Sequence, residues 1–541
     1  MASVAGSLDR RRGRGSARSA ALLSRRRVAA DPRPRVPWTV IVVALVLCQA
    51  AILWSASTNA FTLYGDSRAH LDIARRLTDG LTPGFAQLGS VWLPLPHLLM
   101  APFAAVDTLW HSAAAGAIVS GMSFVYSAVR VYSLAEEWMR NRLAAWCAFL
   151  VYAINLDLLY VQTTALTEPV LLAFFVGAAY HLTRWTRTNS YRDLLLAGFM
   201  VACATLTRYD GWALFVVGLA VVATWTWRHH RAGHATQANV LLYTAVGGYG
   251  IVLWLLYNLI IFHDPLQFLH SSFSSGAQQQ SLALSGLLPT KGSLSESGLT
   301  YMWAVVDIAG VATVVVGLLG IALALPARAT RARLLAVLAL LAAPIVLNVV
   351  SLWLGQSTIR VPQRAPFGFW NDRYGLMALP LLAFGAALLV QRWKALFPLV
   401  IIAVVASSAM AVVNTPVALA DGRYGVSSAA AGHPEVAASL LARDYRGGGI
   451  LADDASASGV MFASGLNLSD FITVGFHPYY ENALQHPGHD VRWVLVYDGD
   501  SIAQEMAQHP DRFAGFQLVI VDGRIHLYAL ADAAQRGNRP S

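Results

Sequence analysis

Long apolar runs dominate this chain, and they restrict its fold to a bundle of membrane-spanning helices. A helix needs about 20 predominantly apolar residues to cross ~30 Å of hydrocarbon. Residues 37–57, 112–134, 143–162, 168–184, 239–262, 301–325, 334–355, 373–390 and 394–414 form such runs. Two shorter runs, 193–206 and 211–227, flank the polar knot Thr207-Arg208-Tyr209-Asp210, giving an expectation of about eleven spans. Composition agrees. Of 541 residues, 56% are hydrophobic and 13% charged, with a mean hydropathy of +0.50. Soluble domains carry roughly 25% charged residues, so an ordinary soluble globule is excluded, as is a disordered chain, which needs low hydrophobicity and high charge. The three cysteines, Cys48, Cys147 and Cys203, all lie inside apolar runs and form neither a disulfide framework nor a zinc motif.

The net charge of +9 describes a tail. Residues 1–36 hold ten Arg and two Asp, so the rest of the chain is nearly neutral. An Arg-rich tail before an apolar helix reads as a disordered cytoplasmic segment that fixes topology. Nucleic-acid binding gains no support, since no aromatic residue interrupts the tail before Trp38. Ser55-Ala56-Ser57 fits a cleavage site, but the apolar run before it starts at Val40, later than a signal peptide of roughly 15–30 residues ends. With the tail inside, the inner loops fall at 136–142, 184–192, 228–234, 328–333 and 391–394, and each carries Arg or Lys. This is the bias expected of cytoplasmic loops. An odd number of spans then puts the C-terminal region outside.

Beyond residue 415 the pattern changes. The sequence predicts a helix at 434–445, strands at 450–452, 471–476 and 491–497, a helix at 501–508, and a hairpin of 516–521 with 525–529 around Asp522-Gly523. Strands alternating with helices predict a small α/β domain. The expected organisation is therefore a basic tail (1–36), a transmembrane domain (37–414), an extracytoplasmic α/β domain (415–533) and a flexible end (534–541). No Gly-x-Gly-x-x-Gly and no P-loop is present, so a nucleotide site in that domain has no support.

Charges in or beside spans are costly and mark functional candidates. They gather at the outer ends: Tyr64-Gly65-Asp66-Ser67-Arg68-Ala69-His70-Leu71-Asp72, then the aromatic and Pro-rich 91–97, Thr167-Glu168-Pro169, Thr207 to Asp210, His263-Asp264-Pro265, and Arg360 and Arg364 followed by Asn371-Asp372-Arg373-Tyr374. Each has a plain structural explanation. Asp66 could cap the following helix, His70 and His97 could be packing residues, Glu168 could compensate a helix dipole, and Asp264-Pro265 could be a turn. Arg208 could pair with Asp210, and Asp372 with Arg373. These explanations leave one fact over. Arg68, Arg208, Arg360, Arg364 and Arg373 sit in outer loops, against the orientation bias. A bound anion accounts for them, because guanidinium grips phosphate bidentately. Carboxylates beside them suggest a base acting on an acceptor while phosphate departs.

Taken in order, these motifs resemble the GT-C glycosyltransferases, closest to the protein O-mannosyltransferase and aminoarabinose-transferase branch. The features that carry the resemblance are an acidic first outer loop (Tyr64-Gly65-Asp66), Thr167-Glu168-Pro169 at a span start, an Arg-x-Asp between short spans, an Asp-Pro opening a long outer loop, Arg373-Tyr374 at a late span, and an outer C-terminal domain. That branch often has adjacent acidic residues in the first loop, whereas Asp66 is followed by Ser67. The resemblance implies an all-α GT-C-like membrane domain and an inverting sugar transfer from a polyprenyl-phosphate donor to a glycan, lipid or protein acceptor. Mannose and another pentose or hexose, arabinofuranose among them, are the candidate sugars. Asp66 would be the general base and Glu168 a second acidic residue of the site. Arg208 and Arg373, with Arg360 or Arg364, would hold the donor phosphate. Arg68, His70, Tyr209, Asp210 and Tyr374 would line the substrate. No nucleotide cofactor is needed, and a divalent cation stays open. The loop 263–300 is longer than an ordinary connection and is expected to close over donor or acceptor.

Two other classes share some of these features. A polyprenyl-lipid flippase would also collect Arg at a lipid phosphate, but should show paired repeats and polar mid-membrane residues. A membrane-anchored scaffold would leave the outer charges unused. The two Lys, Lys291 and Lys394, against 37 Arg suggest a GC-rich bacterial source and a plasma-membrane enzyme facing a cell-wall space.

Overall fold

The computed structural model describes residues 36–230, 233–271, 274–427, 432–476 and 478–531. The expected basic tail and the flexible end fall almost wholly outside these residues. What is described is mostly helical, with one five-stranded sheet near the C-terminus. Five helices are long and apolar enough to cross a membrane: Trp38–Ser57, Ala114–Met139, Asp210–His229, Arg331–Trp353 and Asp372–Arg392. Two bent pairs raise the number to seven if each pair is one span. The protein is a multi-pass membrane protein.

Several expected spans differ from their apolar runs, each for a local reason. The run 143–162 is two helices, Arg142–Ala153 and Leu156–Val161, and each starts on an Asn cap. Asn141 accepts from the amides of Leu143 and Ala144, and Asn155 from that of Leu158. Such caps satisfy orphan donors at a helix start. The run 301–325 breaks at Gly310, where Leu294–Ala309 meets Val311–Ala324 at 109°. Gly310 has φ +77°, and a Cβ there would lie 2.5 Å from Ser407 Oγ. Glu168–Thr188 is 21 residues long, but Glu168, Arg184 and Arg187 take it out of the plainly apolar class.

Small residues let helices meet backbone to backbone. A Cβ on Gly320 would sit 1.9 Å from the carbonyl oxygen of Gly385, so Val311–Ala324 packs directly against Leu379–Arg392. This contact supports the helix that follows Arg373.

The strands are β1 (Gly449–Ala452), β2 (Phe471–Ile472), β3 (Val491–Tyr497), β4 (Phe516–Asp522) and β5 (Ile525–Leu530), ordered β2-β1-β3-β5-β4. β1 runs parallel to β2 and β3, while β5 is antiparallel to both β3 and β4. The β4–β5 hairpin turns at Asp522 and Gly523, the latter with φ +57°. The strand expected over 471–476 is only two residues long, because the chain turns at Thr473, whose carbonyl accepts from the Phe476 amide.

The sheet sits on the segment that follows the helix Trp38–Ser57. Ile450, Trp493, Leu495 and Leu527 share one buried core with Leu71 and Ala74 of the helix Gly65–Arg75 and with Trp110. Ion pairs reinforce the seam: Arg76 Nη1 to Asp454 Oδ2 at 2.7 Å, and Arg68 Nη2 to Glu435 Oε1 at 2.9 Å.

Candidate active site

The site is built around one buried carboxylate. Glu168 occupies the first turn of Glu168–Thr188, next to Pro169, whose missing N–H costs nothing at a helix start. Its side chain is 1% exposed, and a carboxylate so buried must be paired or neutralised. Two arginines supply the pairing from distant parts of the chain. Arg208 Nη1 and Arg373 Nε each donate to Glu168 Oε1 at 3.1 Å. Arg208 also donates to Thr167 Oγ1 at 3.1 Å and, through Nε, to Asp210 Oδ2 at 3.2 Å. Arg373 Nη2 donates to Asp66 Oδ2 at 2.5 Å. Tyr374 lies beneath both guanidiniums, with ring centroids 4.7 Å from Arg208 and 5.4 Å from Arg373, and Tyr64 lies 4.6 Å from Arg373. Planar guanidiniums held by aromatic faces and one carboxylate have little rotamer freedom left.

Asp66 is the exposed member of this network. Its side chain is 45% accessible, against 4% for Arg373. The structure excludes the plain cap explanation. Tyr64 takes the N-cap position of Gly65–Arg75, and no side chain caps that helix. Asp66 instead lies in the first turn, where its charge suits the dipole and its free oxygen can face a ligand.

Asp210 opens the helix Asp210–His230, and its Oδ1 accepts from Asn348 Nδ2 at 2.9 Å. Asn348 was missed in the sequence. Its only signal was a lone amide in the otherwise apolar run 334–355.

His70 is buried, its Nδ1 lies 2.9 Å from His97 Nε2, and its ring packs 4.4 Å from Trp92. Burial holds its imidazole down at about 3, neutral across ordinary pH, with Glu168 opposing and Arg208 and Arg373 adding to that effect. Asp72, two residues on, is 1% exposed with neither carboxylate oxygen hydrogen-bonded, and burial pushes its carboxyl up to about 8.

Other expected site residues lie elsewhere. Arg68 is spent on Glu435 and on the Thr62 carbonyl. Arg364 pairs with Glu296, and Arg360 forms a β-bridge with Trp370. None of these three shares a partner with Arg208 or Arg373. Tyr209 packs among Trp212 and Phe268 and donates its hydroxyl to the Val91 carbonyl. Asp264 is the expected turn, accepting from the Leu266 amide and paired with His270. Asp372 does not pair with Arg373; it is fully buried with both oxygens unpartnered.

Among the described residues, no group of three or more His, Cys, Asp or Glu is arranged to hold a metal ion. Arg373 occupies one oxygen of the Asp66 carboxylate, and the neighbouring residue is Ser67.

Comparison with known proteins gives three results. Residues 115–263 match the sequence model of a family described as dolichyl-phosphate-mannose-protein mannosyltransferase. No curated protein matches the chain. Among solved structures, the chain is similar to ArnT from Cupriavidus metallidurans in the apo state, with a TM-score of 0.55 and 13% identity over 92% of this chain and 98% of that one. It also matches the Archaeoglobus fulgidus oligosaccharyltransferase in complex with Zn and sulfate (TM-score 0.46, 14% identity, 84% and 67% covered). A third match is the oligosaccharyltransferase AglB from the same organism, in complex with an inhibitory peptide and a dolichol-phosphate (TM-score 0.46, 12% identity, 93% and 74% covered). The family model over 115–263 and the likeness of fold to ArnT agree with the GT-C resemblance read from the sequence.

Proposed function

We propose that this glycosyltransferase moves a sugar from a polyprenyl-phosphate donor to a glycan, lipid or protein acceptor at the extracytoplasmic face of the plasma membrane, with inversion. About eleven crossings, a cytoplasmic N-terminus and an outer α/β domain complete this reading. The observation that carries it is the convergence of Arg208 and Arg373 on Glu168 Oε1, with Arg373 also bonded to a half-exposed Asp66. Glu168 holds two guanidiniums in one place before any ligand arrives, which is the preorganisation that charge stabilisation needs.

The charge balance suggests the order of events. Two arginines face three carboxylates, Asp66, Glu168 and Asp210, so the free site has no spare positive charge. A donor phosphate gains its arginine by displacing the most weakly held carboxylate, and Asp66 is the exposed one. Its displacement from Arg373 frees a base at the moment donor is bound. Asp66 then takes the proton of an acceptor hydroxyl as that oxygen bonds to the anomeric carbon. The anomeric carbon–oxygen bond breaks on the opposite face, its electron pair leaves with the phosphate, and Arg208 and Arg373 stabilise the charge that develops.

Arg208→Lys and Arg373→Lys test the donor grip. A lysine is a point charge and cannot reproduce the guanidinium fork. Each variant should raise the KM for a polyprenyl-phosphate mannose or arabinose donor at least tenfold. Unchanged KM and kcat in both would refute the phosphate assignment.

A further inference from the structure

A polar cavity lies beside the segment 263–300. Its volume is about 530 Å³, and its lining includes His270, Ser274, Gln279, Gln280, Lys291 and Gln356. That volume lies within the ~300–1,000 Å³ of small-ligand sites. The cavity's chemistry is amide and hydroxyl with a single ammonium group and the His270 imidazole, which is paired with Asp264. Lys291 is one of two lysines in the chain, and it has no carboxylate within ion-pair distance among the described residues. Its stem crosses Gly355, where φ is +69° and a Cβ would come 2.8 Å from Lys291 Cδ. The positive φ favours glycine there, and a Cβ would push the Lys291 stem aside.

The cavity is tied to the donor grip. Thr358 Oγ1 donates to Gln279 Oε1 on the loop, and the Thr358 carbonyl accepts from Asn371 Nδ2 at 3.0 Å, two residues before Arg373. Such a lining selects its ligand class. An apolar ligand would leave amides buried without partners, and a polyphosphate would meet too few cations. Saccharide hydroxyls match glutamine, which offers two donors and an acceptor, while an ammonium offers three donors to one acidic group.

We infer that this cavity is an acceptor subsite for an acidic saccharide, with Lys291 on the acidic group and Gln280 and Gln356 on ring hydroxyls. The inference rests on the glycosyltransferase reading for the word acceptor, but not for the binding itself. The test uses the full chain in lipid nanodiscs and ligand-observed NMR titration with two probes, cellobiouronic acid and neutral cellobiose. The acidic disaccharide should bind at least fivefold tighter. Lys291→Gln should erase that preference, Lys291→Arg should restore most of it, and Gln356→Leu should weaken both probes. Equal binding of the two probes, or a preference that survives Lys291→Gln, overturns the inference. Arg373→Lys, which attacks the donor grip, should keep the acidic disaccharide bound. Its loss there would put the saccharide at the donor grip and overturn the separate subsite. If the wild-type protein binds the acidic probe but never turns over donor, the transferase reading fails and the saccharide site stands.

Discussion

Asp66→Asn separates a catalytic role from a structural one most sharply, because the structure gives the two effects very different sizes. The substitution keeps the side-chain shape and removes one charge. On the stability side, Asp66 contributes one ion pair to Arg373, and its side chain is 45% accessible. Solvent-screened pairs of this kind contribute about 0–1 kcal/mol. Arg373 keeps Glu168 and the Tyr64 and Tyr374 faces, so no buried charge is stranded. On the kinetic side, removing a positioned base costs roughly 10²–10⁴-fold, or about 3–5 kcal/mol of barrier at 1.36 kcal/mol per decade. Donor affinity adds a sign. Because Asp66 and phosphate compete for Arg373 in the proposed mechanism, the variant should bind donor as tightly as wild type or tighter. Single-turnover transfer from a radiolabelled polyprenyl-phosphate donor, with donor Kd and thermal unfolding measured on the same preparation, reads all three. A near-normal rate would refute the base assignment and move it to Glu168 or Asp210. A slow rate accompanied by weakened donor binding would refute the competition for Arg373.

Three further outcomes follow from the same geometry. Asn348→Leu removes the amide on Asp210 Oδ1 and leaves a buried carboxylate oxygen unpaired, so unfolding stability should drop by about 1–3 kcal/mol; an unchanged unfolding temperature would show that the bond contributes nothing. His70 protonates near 6.5 when unfolded but only at about 3 when folded, so the unfolded chain binds more protons in that window and stability should fall as pH drops from 6.5, by at most about 1.4 kcal/mol per pH unit. His70→Gln should flatten that slope between pH 6.5 and 5, and an unaltered slope would refute it. For topology, a cysteine at exposed Gln504 should react with an impermeant reagent in intact cells while one at exposed Arg228 stays protected; the reverse pattern would invert the reading.

Much of the architecture was legible because its signals are local. The hairpin around Asp522-Gly523, strand β3 and the helix Ser501–Gln508 follow from alternation and turn chemistry alone. The break at Gly310 was not legible: a single glycine in an apolar run is common in spanning helices, and only its contact with Ser407 and its positive φ turn the chain by 109°. The candidate site divides in the same way. Asp66, Glu168, Arg208 and Arg373 stand out in sequence as costly charges, and in the structure they share partners. The sequence assigns a side of the membrane to each loop, not a neighbour, so Arg68, Arg360 and Arg364 were indistinguishable from Arg208 until Glu435, Trp370 and Glu296 were seen beside them.

The position of the α/β unit gives those other partners a purpose. A base at the start of a short loop helix is useful only if that helix does not drift. The helix Gly65–Arg75 has 11 residues, and isolated helices of that length are marginal in water. Its order must come from tertiary contacts. Leu71 and Ala74 lie in the core shared with the sheet, Arg75 pairs with Asp107 at 2.6 Å, and the neighbouring Arg76 reaches Asp454. Arg68 adds its bond to Glu435 from the turn nearest Asp66. These contacts hold the body of the helix and leave its first turn half-open. Asp66 is therefore fixed in position yet accessible, as the proposed exchange of Arg373 for an acceptor hydroxyl requires. In the proposed mechanism the C-terminal unit therefore acts on the reaction without touching it, by holding still the element that carries Asp66.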